Sequence, residues 1–304
     1  MTVSVRTAPL PRMAGHLSFM RARRVQLDDL RADSLVIVGA PMETMQHRSA
    51  GFRFGPRALR ETSVYFGWHD NAQFSHPVDI DKRVQIDTSS IHNRLVDIGD
   101  LAIEDMPGER ANEVIRDVLK VVCRSAASSI VLGGDSCIVA PTLDAHLANV
   151  SRLGLIQFGG DTSSADIEHC VDAIVIAPHG PVPVETRLRT LSASRSAQMR
   201  DNDWNDLSVA IDRRCDGLVV HVDLSVLRSE LHGMADMPRL GGMTLGVLQK
   251  ALISVGQAKV RCLILTGLNP TINGMSIVKT GQRLLVTSLL GFIYARLGLI
   301  KTWQ

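Results

Sequence analysis

Three short stretches hold side chains able to do chemistry, and each follows an apolar run: Gly133-Gly134-Asp135-Ser136, Gly159-Gly160-Asp161-Thr162-Ser163 and His221-Val222-Asp223-Leu224-Ser225. Such positions fall at the carboxyl ends of buried parallel strands, where open α/β sheets bind their ligands. Side chains alternate along a strand, so His221, Asp223 and Ser225 project to one side, and Asp161 closes the strand expected beside them. Two carboxylates and an imidazole suit a single divalent cation, which makes Asp161, His221 and Asp223 a candidate mononuclear site. The same residues also suit plainer work, with an Asp capping a helix, another accepting from loop amides and a structural His.

Ser136 and Cys137 follow a Gly-Gly turn at an expected helix start, where a helix dipole can activate a nucleophile. No G-x-S-x-G elbow and no sequence-linked His accompanies them, so capping and packing are the expected roles and no catalytic residue is assigned. His169-Cys170 has no spacing that lifts it above an ordinary loop. His179-Gly180, after Pro178, ends another strand and faces the same rim.

The elements that must position these groups are legible as short β-branched runs at 35–38, 94–98, 130–132, 154–158, 173–176, 217–222 and 262–265. All are short enough for strands buried on both faces. Segments of helical spacing lie between them. Pro56 opens 57–64, Val114, Val118 and Val121 form one stripe in 113–123, and Thr244 is the expected N-cap of 245–255. This alternation predicts a three-layer α/β/α fold with a mostly parallel sheet of about eight strands. Residues 62–93 are irregular, with His69, His76 and His92 at no common spacing. They read as a loop against a neighbouring subunit rather than a metal site.

Composition narrows the class. The 304 residues show no linker or composition shift, so one domain over 1–304 is expected, with 1–33 an extension engaged in subunit contacts. A hydrophobic content of 45% with only 4% aromatics favours aliphatic helix-on-sheet packing. Lys+Arg 33 against Asp+Glu 31 gives no electrostatic case for nucleic acid, and the basic cluster Arg21 to Arg24 reads as solvated surface or subunit contact. The five cysteines are scattered without a CxxC pair, and the amino terminus lacks an apolar signal core. The greasy stretch 284–300 is interrupted by Thr287, Ser288 and Arg296, so it reads as a packed helix and no membrane association is expected. These features fit a cytoplasmic protein.

Further motifs agree in order and spacing over nearly the whole chain. They are Gly39-Ala40-Pro41-Met42-Glu43, the run from Arg48 through Gly51, Arg53, Gly55 and Pro56 to Arg60, Val96-Asp97-Ile98-Gly99-Asp100, and Gly241-Gly242-Met243-Thr244. With the three rim stretches they make the chain resemble the ureohydrolases, the family of arginases and agmatinases that hydrolyse guanidino groups. The second motif is close to the agmatinase pattern Arg-x-Gly-x-Arg-x-Gly-Pro-x-x-Ile/Leu-Arg.

The departures fall on the chemistry that the resemblance implies. Ser136 stands where the family has a metal-binding His. Gly159, Asp161 and Ser163 stand where Asp-Ala-His-x-Asp supplies three ligands. Asp223 is kept and Ser225 replaces the last ligand of Ser-x-Asp-x-Asp, while Gly267 stands at the acidic residue that grips the guanidinium. Carboxylates clustered around two cations become costly once the metals are lost, so Gly and Ser at these positions remove repulsion and desolvation cost together.

The resemblance therefore implies no metal in this chain and a non-catalytic subunit of a heteromeric ureohydrolase. The partner would be a metal-containing paralogue carrying nickel or manganese in a hexamer-like assembly. Within the family the pattern is similar to the metal-deficient subunit of a metformin hydrolase, which splits a biguanide. Two other readings stay open: a stand-alone amidinohydrolase with one ion at Asp161, His221 and Asp223, and a homo-oligomeric protein that binds a guanidino compound without cleaving it.

Overall fold

The central strands form where the sequence is apolar on both faces. Every residue of β2 (Leu35–Ala40), β6 (Ser128–Gly133) and β7 (Leu153–Phe158) is buried, as a central parallel strand covered on both sides requires. The computed structural model describes residues 17–44, 50–66, 78–79, 84–85, 91–160, 167, 169–178, 188–228, 241–271 and 275–300.

The remaining strands are β1 (Arg23–Arg24), β3 (Val78–Asp79), β4 (Val84–Gln85), β5 (Leu95–Asp100), β8 (Asp172–Ile176), β9 (Arg189–Leu191), β10 (Gly217–Asp223) and β11 (Val260–Thr266). Nine of them form one sheet in the order β1-β5-β2-β6-β11-β10-β7-β8-β9, and β3 and β4 pair separately. Each pairing in the large sheet is parallel. The chain crosses from β6 to β7 and later fills the gap with β10 and β11, which brings the ends of these four strands together at one rim. The expected sheet of about eight strands is thus nine. The added edges β1 and β9, two and three residues long, are too short and polar to show a pattern.

The helices are α1 (Gly55–Ser63), α2 (Ile91–Arg94), α3 (Gly108–Ser125), α4 (Val139–Leu147), α5 (Ala193–Gln198), α6 (Asp201–Asp212), α7 (Leu245–Gly256) and α8 (Met275–Arg296). One apolar layer joins Leu35, Ile37, Leu132, Val220 and Leu263 to α1, α6, α7 and α8. The other joins Val36, Val38, Val131, Val219 and Ile264 to α3 and α4. This is the three-layer α/β/α arrangement expected. Thr244 caps α7 as anticipated, its hydroxyl accepting from Val247 N at 3.3 Å.

One expectation needs correction. In α3 the buried stripe is Ala111, Ile115, Leu119 and Val122, whereas Val121 is 39% exposed. The valine spacing and the true stripe lie one position apart, and the bulkier Ile and Leu win the core. Near the amino end, Phe19 and Met20 are buried in this chain's own core, and the exposed Arg23 and Arg24 pair with β5. Residues 1–16, like His69 and His76 of the irregular loop, lie outside the described residues. Among the described residues, no helix is long and apolar enough to cross a membrane.

Candidate functional site

The rim begins where β6 turns into α4. Gly134 lies so close to the Met42 backbone that a Cβ there would strike the Met42 carbonyl, and Asp135 N donates to that carbonyl at 3.1 Å. The Asp135 carboxylate then caps the turn. It accepts from Cys137 N at 2.8 Å, Thr44 N at 2.6 Å and the Thr44 hydroxyl at 2.7 Å. These bonds bind the β6 loop to the β2 loop. Ser136 is exposed. Burial, and then the Asp135 charge, push the Cys137 thiol well above its ordinary range, which leaves it an uncharged packing group.

At the end of β10, Asp223 caps the 3-10 turn Leu224–Val226, accepting from Ser225 N at 2.8 Å and from the Ser225 hydroxyl. Both hydrogen bonds fall on Oδ1. His221, two residues back on the same strand face, is 2% exposed, and its Nε2 lies 2.8 Å from the Thr266 hydroxyl of β11. His221 Nδ1 is buried without a partner among the described residues. Burial lowers this imidazole to about 4 against the opposing pull of Asp223, so it is neutral at pH 7. Gln157, the register partner of His221 on β7, donates to the Gly159 carbonyl at 3.0 Å.

The glycines of the rim are sterically compelled. Gly159 has φ +73°, and a Cβ there would lie 2.9 Å from Val226 Cβ and N and 3.0 Å from the Asp223 carbonyl. At Gly267, with φ +83°, a Cβ would come within 3.2 Å of Asp223 Oδ1. A carboxylate at either position would crowd Asp223 or its backbone.

The motifs flanking the rim serve its walls. Glu43 accepts from Gly51 N at 2.6 Å and Phe52 N at 3.1 Å, and buried Asn269 donates to the Ala50 carbonyl at 3.2 Å while accepting from Thr271 N at 3.0 Å. Arg60, 2% exposed, grips Asp97 through two nitrogens at 2.8 and 3.0 Å and also bonds Asp100. Asp97 accepts in addition from Phe19 N and Gly99 N, both at 2.8 Å.

Of the positions singled out in the sequence, Gly159, His221, Asp223, Ser225 and Gly267 share one rim, and Ser136 stands at the neighbouring β6 corner. Asp161, Ser163 and His179 lie outside the described residues. His169 and Cys170 do not belong with them. Val171 N pairs with the Leu153 carbonyl at the amino end of β7, so this pair sits at the opposite edge of the sheet. Gln157, Thr266 and Thr44 were not singled out in the sequence; Gln157 alternates with Gly159, while Thr266 and Thr44 only adjoin Gly267 and Glu43.

The resemblance implies a pair of cations, and the donors present can be tested against that. Ser136 offers only a hydroxyl, Gly159 has neither a side chain nor room for one, and Asp223 Oδ1 is engaged by Ser225. Among the described residues no group of three or more His, Cys, Asp or Glu is placed to hold a metal ion. The described residues at these positions, Ser136, Gly159, Asp223 and Ser225, hold one carboxylate, whereas a binuclear cluster needs several anionic or imidazole donors per ion.

Comparison with known proteins bears on the fold and the first half of the chain. Residues 33–162 match the family model of the Arginase family. An agmatinase from Neisseria meningitidis serogroup C is 30% identical over 131 residues, 43% of this chain and 39% of its own length. An agmatinase from Sodalis glossinidius is 22% identical over 226 residues, 69% of this chain and 70% of its own. The match to the Neisseria protein, as to an agmatinase from Cronobacter sakazakii, thus spans about two fifths of the relative. Among solved structures, proclavaminate amidino hydrolase from Streptomyces clavuligerus superposes with TM-score 0.72 at 21% identity over 94% of this chain and 99% of its own. Arginase from Bacillus subtilis gives 0.64 at 17% identity over 87% and 98%. At these identities the superpositions show a shared fold.

Proposed function

We propose that this chain, whose residues 33–162 match the Arginase family model and resemble the agmatinases, is the non-catalytic subunit of a heteromeric ureohydrolase. Its partner is a metal-containing paralogue that holds nickel or manganese and hydrolyses a guanidine or biguanide such as metformin to urea or guanylurea plus an amine. The observation that carries the reading is Gly159: the backbone itself, at φ +73° and packed on Val226, excludes the carboxylate that a ligand position requires. Gly267 supports it, since an acid gripping a guanidinium there would lie against Asp223. A guanidinium carbon is a poor electrophile, and without a cation pair to supply hydroxide near neutral pH the described residues of this rim offer no nucleophile matched to it.

The role left to the chain is architectural. Its β2, β6 and β11 loops are cross-tied by Asp135, Glu43 and Asn269, which makes a stiff rim that can pack beside and shape the mouth of a catalytic neighbour. The test is co-expression with a metal-replete paralogue and assay of metformin and simpler guanidines by each chain alone and by both. The expected result is turnover by the pair beyond that of the paralogue alone and none by this chain. Turnover by this chain alone would overturn the proposal.

A second reading has one observation in its favour. His221 Nδ1 is buried, unpartnered among the described residues and adjacent to Asp223, which suits a single ion completed by Asp161. Elemental analysis of the purified chain decides it: stoichiometric metal that is lost in His221→Ala supports a mononuclear site, and a metal-free chain rejects it.

A further inference from the structure

Helix α1 buries Gly55, Pro56, Ala58, Leu59, Arg60, Thr62 and Ser63 and leaves a single stripe outside. That stripe reads Phe54, Arg57, Glu61 and Tyr65, spaced by three, four and four residues along one helical face. Phe54 is 46% and Tyr65 63% exposed, and the Arg57 and Glu61 side chains are 71% and 53% exposed. The large apolar side chains exposed among the described residues are Phe54, Tyr65, Met106, Val121, Val171 and Leu284. Two of these, Phe54 and Tyr65, lie on this stripe, and α8, which packs on α1, adds Arg283 beside Tyr65.

The face is rigid. Thr62 of α1 donates to Gln282 of α8 at 3.0 Å in a buried bond, and the Arg283 guanidinium lies 5.4 Å from the Tyr65 ring centre. At the other end Arg53 lies 5.4 Å over Phe54. Exposed aromatics with arginine over their faces are the composition of interface centres rather than of ordinary solvated surface.

We propose that this stripe is an isologous contact between two copies of the chain. The order aromatic, cation, anion, aromatic is its own complement under a two-fold axis passing near Leu59. With two α1 helices antiparallel, Arg57 of one copy faces Glu61 of the other, twice over, and Phe54 faces Tyr65. Parallel helices would set Arg57 against Arg57. At present Arg57 Nε pairs with Glu61 Oε1 of its own helix at 2.8 Å, an exposed pair that exchanges at little cost for the crossed one. The contact stands apart from the reading of the rim, because it is read as mass and not as hydrolysis.

The experiment is sedimentation equilibrium of the purified chain with two charge variants. In Arg57→Glu every crossed contact is acid on acid, and in Glu61→Arg every one is base on base, so each variant alone is expected at half the wild-type mass. Mixed in equal amounts, one variant presents acids at both positions and the other presents bases at both. Every crossed contact then joins opposite charges, and the wild-type mass returns. No change in helix geometry within one chain predicts that recovery. Phe54→Ser is the third variant, expected to halve the mass without altering charge. A monomeric wild type, variants of undiminished mass, or a mixture that stays at half mass would each overturn the proposal.

Discussion

Gly159 sets what the rim can hold. A side chain there must accept a left-handed backbone and displace Val226, so Gly159→Asp is expected to destabilise the fold by roughly 1–3 kcal/mol for the conformation and contact together. A urea titration measures this, and an unchanged midpoint would show that the loop has room for a ligand after all. His146 is a second buried group with a measurable consequence. Burial first, and the Arg261 guanidinium second, take its imidazole from 6.5 down to about 4. With the folded value below the unfolded one, the unfolded chain binds the proton first. The stability contributed by the neutral ring is therefore present above 6.5 and lost as pH falls through about 4. The loss is on the order of 3 kcal/mol at its fullest. In His146→Gln the unfolding free energy should fall less steeply over that range; an identical slope would remove this imidazole from the acid response.

At the scale of elements, two arginines three residues apart on α1 do unlike work. Arg60 faces inward and ties α1 to β5 through Asp97 and Asp100, while Asp97 also holds the amide of Phe19. Arg60→Met strands a fully buried carboxylate and is expected to cost about 3–5 kcal/mol. Arg57→Ala removes only an exposed pair within the chain and, titrated at protein concentrations low enough to separate two copies, should shift stability by less than about 0.5 kcal/mol. Denaturant titration of both variants checks the contrast, and equal effects would contradict the internal role of Arg60. Both positions belong to a motif whose spacing is plain in the sequence. The division between buried tie and surface stripe is not, because it depends on which side of the helix meets β5. The α3 stripe teaches the same lesson: Val114 and Val118 have the right period, but Ile115 and Leu119 face the sheet.

For the whole molecule, the seven apolar runs became seven strands of the sheet, extended by a residue or two, because a strand covered on both faces must be continuously apolar. The order β2-β6-β11-β10-β7, which gathers the rim, is a matter of how crossovers pack and leaves no local trace. The rim can be tested as a unit. Restoring donors together, as Ser136→His with Ser225→Asp, is expected to leave the purified chain without a stoichiometric cation pair, since Gly159 still excludes its ligand. Metal content after dialysis measures this, and two ions per chain would mean that the loops are more accommodating than their contacts suggest.

The amino-acid sequence alone determined the layer architecture and the substitution of the rim's donors, since both are written in residue types at fixed spacing. Only the tertiary structure decided what the surviving groups do. Asp135 finds Thr44 across 91 residues, Arg60 finds Asp97 across 37 and His221 finds Thr266 across 45. Periodicity speaks to which face a side chain shares with its near neighbours. A hydrogen-bond partner brought in by another strand is chosen by the packing of the sheet, and that choice turned the remaining carboxylates into caps and ties.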